Sequence, residues 1–539
     1  MQQQPWWRGA IIYQVYPRSL MDSNGDGVGD IPGIISKLDY IKSLGVDAIW
    51  VSPFFKSPMK DFGYDISDYR DVDPLFGCLA DIDHLIAEAH QRDIKIIIDQ
   101  VLSHTSDQHE WFTTSRTDHT NPKADWYVWA DPKEDGTPPN NWLSIFGGCA
   151  WEWEPRRGQY YLHNFLKSQP DLNFHNPQVQ AQILQEVEFW LKRGIDGLRL
   201  DAINFCFHDQ QLRDNPPKPP AERQGRGFSE DNPYAFQRHW YNNTQPENLD
   251  FLQRLRELLN QYPGTVSLGE ISSEDSLQTM ADYTHGGDKL HMTYSFELLT
   301  EDFSPQYVRT TVETLEAGIG EGWPCWAIGN HDVARVLSRW GGEQACDELA
   351  KMLNAMVFSL RGSVCSYQGE ELGLTEVDLP LEQLQDPYGI TFWPMFKGRD
   401  GCRTPMPWSD GVNGGFSSAA KTWLPVASEH RAINVAHQDN DPASVLNAYR
   451  HFLRWRKQQP ALCYGSIQFF DLNREVLTFT RKAEQEILCC FNFSEKPQTI
   501  ELPEGFTRLL EHSGFAADLQ SKQLHLPEYG VAFVAETAL

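Results

Sequence analysis

Residues 178–201 read QVQAQILQEVEFWLKRGIDGLRLD, and this stretch decides the fold. From Gln178 to Lys192 apolar residues recur at helical spacing, and Gly194 stands where a helix C-terminus commonly places a left-handed residue. Gly197-Leu-Arg-Leu-Asp201 then reads as a short buried strand that ends on a charge. A helix running straight into such a strand is half of a strand–helix unit. Outward in both directions the same order recurs. Strand-like runs lie at Ile11 to Pro17, Asp47 to Pro53, Lys95 to Val101, Val266 to Ile271, Met292 to Glu297, Trp323 to His331 and Ser363 to Gly369. Amphipathic stretches lie at Ile34 to Leu44, Asp81 to Ala89 and Leu249 to Leu259. The last follows Thr244-Gln-Pro-Glu247, a capping-box pattern. Gly45 and Gly264 close two of these helices. Eight such runs predict an α/β chain built as a (β/α)8 barrel.

Two spacings break the rhythm. After the third strand about seventy residues rich in Asp, Asn, Pro and Trp precede the next long helix, too many for a plain loop, so 104–171 is expected to be a small inserted domain. After the fourth strand the irregular segment Asp209 to Asn243, with Asn215-Pro-Pro-Lys-Pro-Pro220 inside it, is expected to cover the barrel mouth. From Tyr464 the pattern changes to short alternating strands, Ile467 to Phe470, Val476 to Arg481 and Ile487 to Phe493. That reads as an antiparallel β domain over 464–539. The barrel itself takes 1–103 and 172–463.

Composition narrows the function. The 539 residues hold 46 Lys and Arg against 74 Asp and Glu, a net charge of -28 that repels phosphate backbones and excludes nucleic acid as a partner. No run reaches the roughly 18 apolar residues of a membrane span, and MQQQPWWRGA carries no secretory pattern. The 10 cysteines form no CxxC pair and lie mostly in apolar runs, as expected of reduced, buried thiols in a cytoplasmic protein.

In a parallel barrel the strand C-termini carry the chemistry, because the loops there form the open concave face. Strand four ends in Asp201, strand five in Gly269-Glu270 and strand seven in Asn330-His-Asp332, so three carboxylates converge on one rim. Arg199 and Asp201 are two apart on a strand and face the same side, where the guanidinium is expected to hold Asp201 ionised. His104 ends strand three and His331 precedes Asp332, imidazoles read as neutral to cationic. Two carboxylates facing an acetal can cleave it, one attacking the anomeric carbon and the other protonating the leaving oxygen. Solvated strand-end acids, or a divalent-metal site of the enolase kind, are the alternatives. GxGxxG, HExxH, Walker and Gly-x-Ser-x-Gly sequences are missing.

Asp99-Gln-Val-Leu-Ser-His104, Gly197-Leu-Arg-Leu-Asp201, Gly269-Glu270 and Asn330-His-Asp332 together resemble the four sequence regions of glycoside hydrolase family 13, the α-amylase family, in its α-glucosidase and oligo-glucosidase branch. The resemblance runs over essentially the whole chain. It implies a barrel with an inserted domain B and a C-terminal β-sandwich domain C. It further implies Asp201 as nucleophile, Glu270 as acid/base, Asp332 as a binder of glucose hydroxyls, and retention through a β-glucosyl-enzyme. Asp61-Phe-Gly-Tyr64 is similar to the family segment whose Asp fixes the terminal sugar and whose Tyr stacks on it. Arg399-Asp-Gly-Cys-Arg403-Thr-Pro resembles the one that supplies the Arg paired with that Asp, Arg399 first and Arg403 second. Such a wall implies attack on chain ends. Arg199, His104 and His331 are expected to complete the hydrogen bonds to glucose, with Phe146 and Phe165 as aromatic walls. Ala202 follows the nucleophile, where the family's Val accompanies α-1,6 hydrolysis and Ala or Thr accompanies α-1,4. The implied substrate is therefore maltose or a short malto-oligosaccharide, with transfer to alcohol or sugar acceptors. An apolar mouth for such acceptors is expected from Phe205 and Phe207. A sucrose isomerase or other glucosyl synthase, and a non-catalytic scaffold, are the rival readings. A monomer or a homodimer fits equally.

Asp22-Ser-Asn24-Gly-Asp26-Gly-Val28-Gly-Asp30 places oxygens as in the first part of an EF-hand loop, with Gly33 where the bidentate Glu would stand. Hard oxygen donors call for Ca²⁺ or Mg²⁺, and the resemblance implies one structural ion here and no cofactor for catalysis. The amylases' second calcium site is not expected, because Ser103 replaces its Asn.

Overall fold

The computed structural model describes residues 4–223, 228 and 231–536. Eight parallel strands form one sheet: β1 (Ile11–Val15), β2 (Ala48–Val51), β3 (Lys95–Val101), β4 (Gly197–Asp201), β5 (Val266–Ile271), β6 (Met292–Ser295), β7 (Cys325–Trp326) and β8 (Ser363–Tyr367). Their order is β6-β5-β4-β3-β2-β1-β8-β7, and a parallel bridge from Thr293 on β6 to Pro324 closes the ring. The seventh strand is much shorter than the run Trp323 to His331. Pro324 has no N–H to give the ladder, and the backbone beyond Trp326 leaves it before the rim.

Each strand alternates between two cores. Leu198 and Leu200 on β4 point outward into the layer shared with the helices, among Ile183, Val187 and Trp190. Inside the barrel, Ile12, Trp50, Ile97, Leu268, Met292 and Tyr294 pack into a plug below the rim. The inward side of β4 carries Arg199 and Asp201, so the chemistry sits directly on that plug.

The helix Pro177–Lys192 is capped by Asn176, whose side chain accepts the Gln178 N–H, and ends at Gly194 with φ 95°. Two expectations fail locally. The single helix at Ile34 to Leu44 is instead two, Ile31–Ser36 and Leu38–Leu44, because the Ser36 hydroxyl donates back to the Gly33 carbonyl and the turn breaks at Lys37. Thr244 does not cap Asn248–Leu259. It is left-handed, with φ 54°, and its hydroxyl donates to Asn243, so Glu247 opens the helix without a side-chain cap.

Within 104–171 lies a three-stranded antiparallel sheet of Trp129–Ala130, Gln159–Leu162 and Trp151–Glu154, preceded by the helix Glu110–Ser115. The described part of Asp209 to Asn243 packs against this region, with Asn232 donating to the Ile145 carbonyl and Gln237 to that of Asn141. At the C-terminus a five-stranded sheet faces a three-stranded one across Val476, Leu488, Ile500, Leu524 and Val534. This is the antiparallel sandwich. Its other face rests on the barrel, where the Arg481 guanidinium donates to the carbonyls of Ser359 and Leu360.

Candidate active site

Arg199 is fully buried and organises the rim. Its Nη1 donates to Asp99 at 2.9 Å and to Asp201 Oδ1 at 2.7 Å. Its Nη2 lies 2.5 Å from Glu270 Oε1 and donates to the Tyr294 hydroxyl at 2.7 Å. The guanidinium also lies 4.7 Å above the Trp50 ring. Two acids from neighbouring strands are thus held on the two ends of one planar cation. Glu270 is fixed at its other oxygen too, where Oε2 accepts the Ala202 N–H at 3.1 Å. Gly269 before it lets the strand pack closely on its neighbours, since a Cβ there would stand 2.5 Å from Leu290 Cδ1 and 3.1 Å from Ile203 Cγ2.

Burial pushes Asp201 and Glu270 up to about 7; the Arg199 guanidinium opposes the rise in both, and the neighbouring carboxylates add to it. The expectation that Arg199 alone would lower the Asp201 pKa is therefore overturned, because desolvation outweighs the cation. Asp332 behaves oppositely. Burial works against its charge, but the guanidiniums of Arg399, Arg403 and Arg199 outweigh it and hold the carboxyl well below the usual range. A pair that can share a proton near neutrality thus stands beside a permanently ionised third acid.

One end of the site is closed by charge. Arg399 donates from Nη2 to Asp61 at 2.9 Å, from Nη1 to Asp332 at 3.1 Å, and through Nε and Nη2 to Asp386 at 3.0 and 2.8 Å. Arg399, not Arg403, is the partner of Asp61. Arg403 donates to Asp332 at 3.0 Å and to the His331 carbonyl at 2.7 Å. Asp61 takes a further bond from Gln169 Nε2 at 3.0 Å.

A cavity of about 720 Å³, open to solvent, is lined by Asp201, Glu270 and Asp332 together with Asp61, Tyr64, His104, Ala202 and Arg399. Phe146, Phe165 and Phe205 form its aromatic side. Arg199, His331 and Arg403 do not line it. They are 0 to 1% exposed and form a layer beneath, which corrects the expectation that Arg199 and His331 meet the ligand directly. Both His331 nitrogens are occupied: Nδ1 accepts from Gln14 at 2.7 Å, and Nε2 donates to the Tyr64 hydroxyl at 2.6 Å, which donates on to Asp99 at 3.0 Å. Burial keeps His331 well below the usual imidazole range and takes His104 down to about 4, so both are neutral rather than cationic. Phe207 turns away from the cavity and packs on Phe174 and His175.

Gln169, Asp386 and Tyr294 complete the site and were not singled out from the sequence. Gln169 and Asp386 lie in irregular segments without a motif. Tyr294 was legible only as an inward position near the end of β6.

In the 22–30 loop, Asp22 accepts from the N–H groups of Asn24, Gly25 and Gly27, Asn24 from that of Asp26, and Asp26 from that of Val28. Asp30 caps the helix Ile31–Ser36 through the Gly33 N–H. No Lys or Arg among the described residues pairs with these carboxylates. The donor chemistry, all oxygen and without a countercharge, fits a hard divalent cation. Among the described residues no three His, Cys, Asp or Glu side chains gather into a ready cluster, so the Asn24 side chain and the Val28 carbonyl would have to join the carboxylates.

Residues 14–465 match the family model for the α-amylase catalytic domain. The chain is 54% identical over 532 residues to a Rhizobium meliloti protein named "Probable alpha-glucosidase", covering 98% of this chain and 96% of that one. It is 38% identical to an oligo-1,6-glucosidase of Parageobacillus thermoglucosidasius, covering 93% and 92%. Among solved structures, the α-glucosyl transfer enzyme XgtA superimposes with a TM-score of 0.98 at 64% identity, over 99% of this chain and all of that one.

Proposed function

The chain belongs to the α-amylase family, in its α-glucosidase and oligo-glucosidase branch, and from that premise we propose that it is a retaining, exo-acting α-glucosidase that removes α-1,4-linked glucose from the non-reducing ends of maltose and short malto-oligosaccharides. The observation that carries the reading is the placement of Asp201 and Glu270 on the two ends of the Arg199 guanidinium, both lining one cavity. In this reading the Asp201 carboxylate attacks the anomeric carbon while Glu270, kept protonated near neutrality by burial, gives its proton to the leaving oxygen. A β-glucosyl ester on Asp201 results. Glu270, now ionised, takes a proton from water or from an acceptor hydroxyl as that oxygen displaces Asp201. Asp332 stays charged throughout and holds glucose hydroxyls. The Asp61–Arg399–Asp386 cluster bounds the pocket behind the first sugar, which supports action at chain ends. Transfer of glucose to alcohols or sugars is the finer reading that the likeness to a glucosyl transfer enzyme supports.

We also propose one structural Ca²⁺ or Mg²⁺ at Asp22, Asn24, Asp26, the Val28 carbonyl and Asp30. It would neutralise the loop's carboxylates and takes no part in the bond-breaking step. The free thiols of all 10 cysteines support a cytoplasmic setting, and among the described residues no helix is long and apolar enough to cross a membrane. The test is turnover of maltose, isomaltose and maltotriose by the wild type, with Asp201→Asn and Glu270→Gln as controls. With maltoheptaose added to the panel, glucose and maltohexaose as its first products, maltose favoured over isomaltose, and loss of activity in both variants are expected; early maltotriose and maltotetraose from maltoheptaose would contradict the exo reading.

A further inference from the structure

A second cavity of about 790 Å³ adjoins the catalytic one, and Phe228, Ser272 and Phe296 line both. Beyond that threshold the lining turns polar, with Lys218, Glu274, Arg238 and Asn243. Lys218 Nζ stands 2.9 Å from Glu274 Oε2, and Glu274 Oε1 accepts the His239 N–H at 3.1 Å. The pair is mostly but not wholly buried, with 13% and 19% of the two side chains exposed. It is fixed in place yet reachable.

The position of this cavity matters as much as its chemistry. Glu270 is the group that protonates the leaving oxygen, so the leaving group departs on its side. By microscopic reversibility an acceptor, deprotonated by the same carboxylate, enters there. Ser272, Ser273 and Glu274 follow Glu270 on the loop leaving β5 and line the second cavity. The far end of the catalytic cavity is the Asp61–Arg399 cluster. The second cavity therefore lies on the acceptor side, past a pair of aromatic rings suited to the apolar face of a pyranose.

We propose that the Lys218–Glu274 pocket is the acceptor and leaving-group site for a polyhydroxylated ligand, a sugar rather than a simple alcohol, and that the pair selects sugars in glucosyl transfer. The proposal rests on the retaining reading above. A sugar brings several hydroxyls that can donate to the Glu274 carboxylate and accept from the Lys218 ammonium, charge-assisted bonds that an apolar alcohol with one hydroxyl cannot match. In the step itself the acceptor oxygen attacks the anomeric carbon, the bond from that carbon to Asp201 breaks with its electron pair returning to the carboxylate, and the acceptor proton passes to Glu270. No further reactant is needed.

The test is a competition. The wild type, Lys218→Ala, Glu274→Ala and the double variant receive p-nitrophenyl α-glucoside as donor with maltose and butan-1-ol together as acceptors, and the products are separated. The ratio of trisaccharide to butyl glucoside is expected to fall roughly tenfold in each single variant, the loss of about one charge-assisted hydrogen bond, and little further in the double one because the pair acts as a unit. An unchanged ratio would overturn the proposal. The far-UV circular dichroism and the Tm of each variant report the fold. Should a variant lose it, Glu274→Gln, which keeps the acceptor for the His239 N–H, takes its place, and a wild-type ratio there would count against the carboxylate's role. If the wild type itself releases no p-nitrophenol, the glucosidase reading fails and the acceptor pocket falls with it.

Discussion

Tyr294 donates its hydroxyl to Oε1 of Glu270 across 3.0 Å while accepting from Arg199. The phenol is buried and does not line the cavity, so it acts on the substrate only through the acid it holds. A donor to a carboxylate favours the anion. Tyr294→Phe removes that donor, and the Glu270 pKa should rise further above its already raised value. The alkaline limb of the rate profile should then move to higher pH, with kcat down roughly tenfold and KM for maltose little changed. An unshifted limb would mean that Tyr294 only fills space.

Asp201 and Glu270 also tie stability to pH. Their carboxyls, at about 7 against 3.8 and 4.5 in an unstructured chain, take up protons on folding. That contribution is fully present below the unfolded values and is lost as pH rises through about 7. Asp332 is shifted the other way and stays charged across this window. Calorimetry should therefore show the wild-type Tm falling between about pH 5 and about pH 8, and Asp201→Asn should lose less over the same interval. Equal losses in the two proteins would contradict the buried-pair account.

Ala202, proposed to set the linkage preference, also carries backbone strain. It sits at φ 40°, ψ 45°, a left-handed position, while its N–H holds Glu270. A β-branched side chain is unfavourable there by about 1 to 2 kcal/mol. Ala202→Val should lower the ratio of maltose to isomaltose turnover and also lower Tm. A variant with an unchanged ratio would remove Ala202 from the specificity account.

For the loop at 22–30, chelation with EDTA should lower the wild-type Tm by several degrees and added Ca²⁺ should restore it, as binding to the folded state alone requires. Asp26→Ala should abolish the response. A Tm indifferent to chelator and metal would mean that the loop stands by its own Asx turns.

The strand ends were the most legible part of the chain. Asp201, Glu270 and Asp332 each close an apolar run, and period-two alternation alone turns Arg199 and Asp201 to the same side. Depth was not legible. Nothing in the spacing distinguishes Arg399, which reaches the cavity, from Arg403, which stops one layer below it. His331 looked equal to His104, yet Gln14 and Tyr64 use up its nitrogens. The sign of the Asp201 shift was missed for the same reason, because a sequence displays the neighbouring cation but not the burial that outweighs it. Gln169 reaches Asp61 across 108 residues of chain, and Asp386, 13 residues before Arg399, meets it only because the irregular segment between them folds back on itself.

The most direct test follows the anomer first formed from maltose by proton NMR, before mutarotation, in the wild type. Direct attack by Asp201 with Glu270 as the acid inverts the centre twice, so α-glucose must appear first. β-Glucose as the first product would mean that water, not Asp201, attacks, and the reading of these two side chains as a nucleophile and its acid would be wrong.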